Sequence, residues 1–170
     1  QYITEVLARI GEDAKDAVPA LIQTLQDPKE IGRGTTAKAL GAMGESAKDA
    51  IPVLIQLLRD EVANVRSHAA EALAKIGIGA VPSLVQLLQD KVTHVRASAI
   101  WTLAKIGKDA VPALIQTLQN QDISVRSNAA NVLGQIGEDA VDAVPALTLA
   151  LQDLAPEVRQ YATWALGMIG

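Results

Sequence analysis

An all-α superhelix of antiparallel helix pairs, an α-solenoid, is the fold that this 170-residue chain predicts, and three observations predict it. A glycine recurs at Gly11, Gly44, Gly77, Gly107, Gly137 and Gly170, at spacings of 33, 33, 30, 30 and 33 residues. A Val-Pro or Ile-Pro step recurs at Pro19, Pro52, Pro82, Pro112 and Pro145, always 25 residues before the next of those glycines. Between the two landmarks the apolar side chains keep helical spacing. Counted back from the glycine they fall at positions 12, 8, 5, 4 and 1, an arc of about 100° on a helix of 3.6 residues per turn.

The repeat places every element in order. A half repeat occupies 1–11, and full repeats follow at 12–44, 45–77, 78–107, 108–137 and 138–170, forming one array over 1–170. In each, a first helix of about ten residues starts near the proline. Asp16, Asp49, Asp109 and Asp142, three residues before their prolines, are expected as N-caps, which puts proline at the third helical position, where its missing N–H had no partner anyway. The second helix is longer, as in Val65 to Ile76, and Gly77 ends it because glycine tolerates the left-handed conformation. All length variation lies between glycine and proline, where a turn is expected to absorb three extra residues without disturbing the packing.

Neither helix can cover its apolar stripe alone, so neighbouring repeats must stack, and no central active-site cavity follows from that plan. In the first repeat, Gly32-Arg33-Gly34-Thr35-Thr36 replaces the Val-Arg-x-x-Ala of the others. Glycine inside a helix costs about 1 kcal/mol relative to alanine, so a frayed or displaced second helix is expected there. Residue 1 falls inside a second helix and residue 170 is a closing glycine, with no polar capping repeat at either side; the expectation is a piece of a longer array.

Composition narrows the function. The chain is 49% apolar, nearly all of it small aliphatic, with two Trp, two Tyr and no Phe. A net charge of -4, a pI near 5.1 and the lack of any basic run argue against nucleic acid or anionic lipid as the main partner. Absence of cysteine excludes disulfides, thiolate metal sites and a Cys nucleophile. No signal-peptide pattern opens the chain and no apolar stretch approaches the roughly 20 residues a membrane helix needs, so a cytoplasmic protein that does not engage membranes is expected. Nucleophilic triads and Cys/His clusters are missing, and the glycines are spaced helix terminators rather than a phosphate-binding loop.

Within each repeat the residues read Val-Pro-x-Leu-Ile/Val-Gln-x-Leu-x-Asp and then Val-Arg-x-x-Ala-Ala-x-x-Leu-x-x-Ile-Gly. This resembles the HEAT repeats, in particular the short bacterial kind named after the phycobilisome lyases, over essentially the whole chain. An Asp six residues before an Arg matches that family at Asp27 and Arg33, Asp60 and Arg66, Asp90 and Arg96, and Asp153 and Arg159. The resemblance implies a hydrogen-bonded ladder between adjacent repeats. Asn120 stands in the acidic position before Arg126, so one rung is expected to lose its anionic acceptor. One HEAT-like enzyme family, deoxyhypusine hydroxylase, holds two irons with His-Glu pairs; here His68 is followed by Ala69 and His94 by Val95, so those pairs are absent.

Positions 13, 9, 6 and 2 before the closing glycine lie within about 60° of one another, away from the core arc. The resemblance implies that this stripe lines the concave inner surface. It carries Tyr2, Lys38, His68, Glu71, Lys75, His94, Trp101, Lys105, Asn128, Asn131, Tyr161 and Trp164, among which are every aromatic residue and both histidines of the protein. Clustered Trp and Tyr dominate binding hot spots, so these residues are the candidate partner-binding site. The competing reading is that aromatics are merely too large for the core and shield their neighbours, and that the histidines are ordinary surface residues. Stripe charges nearly cancel, Arg9, Lys38, Lys75 and Lys105 against Glu5, Glu71 and Glu157, so strong steering is not expected. The function expected is a non-catalytic scaffold binding a protein or peptide on the concave face, without cofactor or metal. The alternative is a phycobilin lyase-like subunit that handles a chromophore.

Overall fold

Short and long helices alternate along the chain, in the order the repeat dictates. The computed structural model describes residues 15–26 and 30–170, among which there are ten α-helices and no strand. They fall in two compact units, Gln1–Ala80 and Val81–Gly170. The first holds α1 (Val18–Thr24), α2 (Glu30–Ala42), α3 (Ile51–Leu57) and α4 (Ala63–Ile76). The second holds α5 (Val81–Gln86), α6 (Thr93–Ile106), α7 (Val111–Thr117), α8 (Ile123–Ile136), α9 (Val144–Ala150) and α10 (Pro156–Ile169). The fold is the all-α solenoid of helix pairs that the repeat predicts.

The first helices differ from expectation in their starts. They are six or seven residues long, not ten, and proline sits in their first two positions. Their N-caps are Ala17, Ala50, Ala110 and Ala143, without a side-chain bond, so the Asp caps expected at Asp16, Asp49, Asp109 and Asp142 are not formed. The reason is conformational. A capping side chain needs an extended N-cap residue, whereas each of these alanines is already helical, as at Ala50 with φ -84° and ψ -7°. A 3-10 turn runs straight into the helix and leaves the aspartates exposed beside it.

Second helices behave as read. Val62, Val92, Asp122 and Ala155 enter them in extended conformation, and Gly77, Gly107 and Gly137 leave them at φ of 82°, 71° and 71°. The predicted arc of α4, Val65, Ala69, Ala72, Leu73 and Ile76, is wholly buried. In α6 a threonine takes one arc position: buried Thr102 satisfies its hydroxyl by donating to the Ser98 carbonyl at 2.7 Å. Leu54, Leu84, Leu114 and Leu147 of the first helices meet these arcs fully buried, each contributing about 1.5–3 kcal/mol.

The glycine-rich second helix of the first repeat is neither frayed nor broken: α2 runs unbroken from Glu30 to Ala42. Gly32 faces open space, but two other glycines of the helix serve packing. A Cβ on Gly34 would stand 3.0 Å from Nδ1 of His68, and one on Gly41 would stand 2.8 Å from the Cα of Ala72. The close approach of α4 offsets the helix-propensity cost.

One stretch corrects the expectation that nothing is apolar enough to cross a membrane. By length and composition Ala63–Gln89 is. It is not one rod, because Gly77 at φ 82° and ψ -139° closes α4 before the chain re-enters α5. Lys75, Ser83 and Gln86 interrupt the stretch, while its leucines, isoleucines and valines keep the mean hydropathy high.

The ladder of the resemblance is present and has a definite wiring. Arg33 donates from Nε and Nη2 to Asp60 at 3.0 and 3.2 Å, and Arg126 likewise to Asp153 at 2.7 and 2.9 Å. Each carboxylate thus receives the arginine of the preceding repeat. The arginine six residues on uses the backbone instead: Arg66 donates to the Asp60 carbonyl and Arg159 to the Asp153 carbonyl, both at 2.8 Å. Arg126 holds the Asp153 carboxyl below its ordinary range, while the carboxylate raises the Arg126 guanidinium in turn. Asn120 departs as expected. Its side chain accepts only from the Asp122 N–H, and Arg96, one repeat back, turns to the Asp90 and Lys91 carbonyls and to Thr93. Asp27 lies outside the described residues.

Candidate partner-binding face

Side chains on the stripe are placed by the helices that bury the opposite arc. Once Val95, Ala99 and Leu103 of α6 face inward, positions 94, 101 and 105 must point elsewhere. His94, Trp101 and Lys105 are exposed, and Trp101 is 40% so. The Lys105 ammonium stands 5.7 Å from the Trp101 ring centroid, a cation–π distance that restrains both side chains. On α10, Tyr161 and Trp164 are 37% and 41% exposed, with Met168 beside them on the same stripe. Neither tryptophan is sealed between layers.

Trp164 is held as well as shown. Its ring lies on buried Gly134 of α8, where a Cβ would come within 2.4 Å of Cζ3. The glycine seats the six-membered ring of the indole at Cζ3 and Cε3, while the residue as a whole remains exposed. Between them on α8, Asn131 accepts a hydrogen bond from Gln135 at 3.1 Å, which leaves its amide N–H groups available. Asn128 is engaged differently: its amide donates to the Leu88 carbonyl at 2.9 Å, linking α8 to the turn that ends α5 in the preceding repeat. That bond satisfies a carbonyl at the end of a helix.

In the first unit the stripe is polar. Lys38, Glu71 and Lys75 are exposed, and His68 is half-buried with its Nδ1 facing Gly34 and without a hydrogen-bond partner among the described residues. Tyr2 lies outside the described residues. The stripe is therefore divided between the units, and the described aromatics all belong to the second. An open groove of about 770 Å³ in the first unit, lined among others by Lys15, Pro19, Ile22, Glu45, Lys48 and Asp49, contains none of the stripe residues. Among the described residues no three His, Asp or Glu side chains are grouped to hold a metal ion.

Among the described large apolar side chains outside the stripe, two are the most exposed. Leu149 and Leu154 are 74% and 97% exposed. The matching positions of earlier repeats hold Gln56, Gln86 and Gln116, and Glu61, Lys91 and Gln121. Position-by-position comparison of the repeats is the signal that finds them.

A family model described as HEAT repeats matches residues 1–74, 18–91, 51–121 and 111–170. No curated protein matches the chain in sequence. Among solved structures, one from "Structural Basis of Microtubule Plus End Tracking by XMAP215, CLIP-170 and EB1" is similar with a TM-score of 0.62 and 20% identity, over 96% of this chain and 82% of that one. The karyopherin Kap121p, bound to the extreme C-terminus of the protein phosphatase Cdc14p, is similar with a TM-score of 0.53 and 18% identity, over 100% of this chain and 21% of that one. The complex of CpcE and CpcF of phycocyanin lyase from Nostoc sp. PCC7120 is 28% identical over 71% of this chain and 78% of that one, with a TM-score of 0.49. Likeness at these levels concerns the fold, and function has to be argued from the site. With overlapping repeat matches across its length, helix pairs closed by left-handed glycines and arginine–aspartate rungs between neighbours, the chain belongs to the HEAT-repeat family.

Proposed function

We propose that this chain is a non-catalytic scaffold that binds a protein or peptide on the variable face of its second helices, anchored in the second unit by Trp101, Tyr161 and Trp164. A helical repeat scaffold of this kind is suited to protein binding, because stacking consumes one face of each helix and leaves the other free to vary. The observation that carries the proposal is the state of the three aromatics. Each is about two-fifths exposed on a chain whose remaining core is small and aliphatic, and Trp101 and Trp164 are each held in place, by Lys105 and by Gly134. A half-exposed, pre-positioned ring offers contact area at little cost in side-chain entropy. The mixed charge of the stripe fits a partner recognised by shape and apolar contact more than by steering.

The test is capture of partners from the source cell with the intact chain as bait, repeated with Trp101→Ala and Trp164→Ala. Loss of a reproducible partner from either variant, with folding retained by circular dichroism, supports the face. Retention of every partner by both variants refutes it.

A further inference from the structure

Second helices in this protein meet in two ways. α2 packs against α4, and α8 against α10, far more extensively than α6 packs against α8. Both intimate junctions contain an arginine–aspartate rung, Arg33 to Asp60 and Arg126 to Asp153. Both also contain a glycine three residues before the closing glycine, Gly41 and Gly134, buried under the next second helix. The α6–α8 junction has neither. Arg96 reaches no carboxylate of the next repeat, Asn120 standing where an aspartate would be, and half-buried Ala104 occupies the glycine register.

Connector length follows the same division. Seven-residue turns, Gly44–Ala50 and Gly137–Ala143, precede the second helices of the intimate junctions, and the four-residue turn Gly107–Ala110 precedes α8. The longer connectors thus accompany the intimate junctions and the shorter one the looser junction. The division of the chain into two units falls at the other four-residue turn, Gly77–Ala80.

We infer that the α6–α8 junction is a compliant joint inside the second unit, set by the short connector and by the loss of both the ionic rung and the glycine contact. Among the described residues the side-chain hydrogen bond across this junction is that of Asn128 to the Leu88 carbonyl, and packed helices tied at one such point, without a rung or a glycine contact, slide or tilt at small free-energy cost. Trp101 and Lys105 ride on α6 while Tyr161 and Trp164 ride on α10. The joint thereby adjusts the spacing between two parts of the binding face, a consequence that rests on the function proposed above; the compliance itself does not.

The chain has no cysteine, so spin labels can be placed cleanly. One pair, Ala97→Cys with Gln160→Cys, spans the joint, and a control pair, Gln135→Cys with Gln160→Cys, spans only α8 and α10; all three positions are exposed. Without any partner, the first pair is expected to give a distance distribution roughly twofold broader than the control. Adding Asn120→Asp, which offers Arg96 a carboxylate, is expected to narrow the first and leave the second unchanged. Equal widths for the two pairs overturn the joint, and a width indifferent to Asn120→Asp overturns its assignment to the missing rung. Because no partner is present, failure here is separate from failure of the binding face.

Discussion

Trp164 of α10 rests on Gly134 of α8 so closely that a methyl group there would lie 2.4 Å from Cζ3 and 2.6 Å from Cε3 of the indole. The contact turns a glycine, ordinarily a weakness inside a helix, into the support of an exposed ring. Gly134→Ala gains about 1 kcal/mol of helix propensity. It loses more by displacing the ring and the α10 backbone, so the net expectation is destabilisation by about 1–3 kcal/mol. Urea unfolding gives the free energy. In a Trp101→Phe background, Trp164 fluorescence should shift to the red as the ring leaves its seat.

The two tryptophans should separate in stability as they do in support. Trp101→Ala removes an exposed ring whose neighbour is a solvated lysine and is expected to cost no more than about 0.5 kcal/mol. Trp164→Ala opens the seat over Gly134 and should cost about 1–2 kcal/mol. Equal costs would show that Gly134 supports Trp164 no better than Lys105 supports Trp101.

Asp153 gives a pH signature. Its pKa is lowered in the folded state, mainly by the hydrogen bonds from Arg126. The unfolded chain therefore binds this proton more readily, and the rung stabilises the fold fully above the ordinary carboxylate range of about 4. As pH falls through the lowered folded value, that stabilisation is lost. Asp153→Asn should cost about 1–2 kcal/mol at pH 7, because the pair is bidentate and largely covered. The difference between the two proteins should vanish in acid below the folded pKa. A cost that is the same at pH 7 and in strong acid would show that the rung is not its source.

Asn128 is expected to serve the scaffold through its bond to Leu88 more than it serves the binding face. Asn128→Ala leaves the Leu88 carbonyl without its donor and is expected to lower stability by about 1 kcal/mol. Partner capture should be unchanged under conditions where the variant stays folded.

Residues 31 to 36 provide a check on the glycine-rich helix. With α2 continuous through them, their amides should exchange at least about tenfold more slowly than an unstructured chain. Exchange at the unprotected rate would restore the frayed helix that propensity alone suggests.

The sequence by itself determined the repeat, the helix pair within it, the closing glycines and the buried arc, because 3.6-residue periodicity and left-handed glycine are local properties that survive any arrangement of neighbours. Even the Asn120 departure was legible, since it interrupts a register set by the other repeats. Tertiary structure alone decided that Gly34 and Gly41 admit α4 instead of fraying α2, that Asp60 and Asp153 answer the arginine of the preceding repeat, and that Asn128 bonds Leu88 while Trp164 settles on Gly134. Those outcomes depend on what a neighbouring repeat brings to a position 27 to 40 residues away in the chain, and such a pairing is fixed by the packing of repeats and not by the periodicity within one.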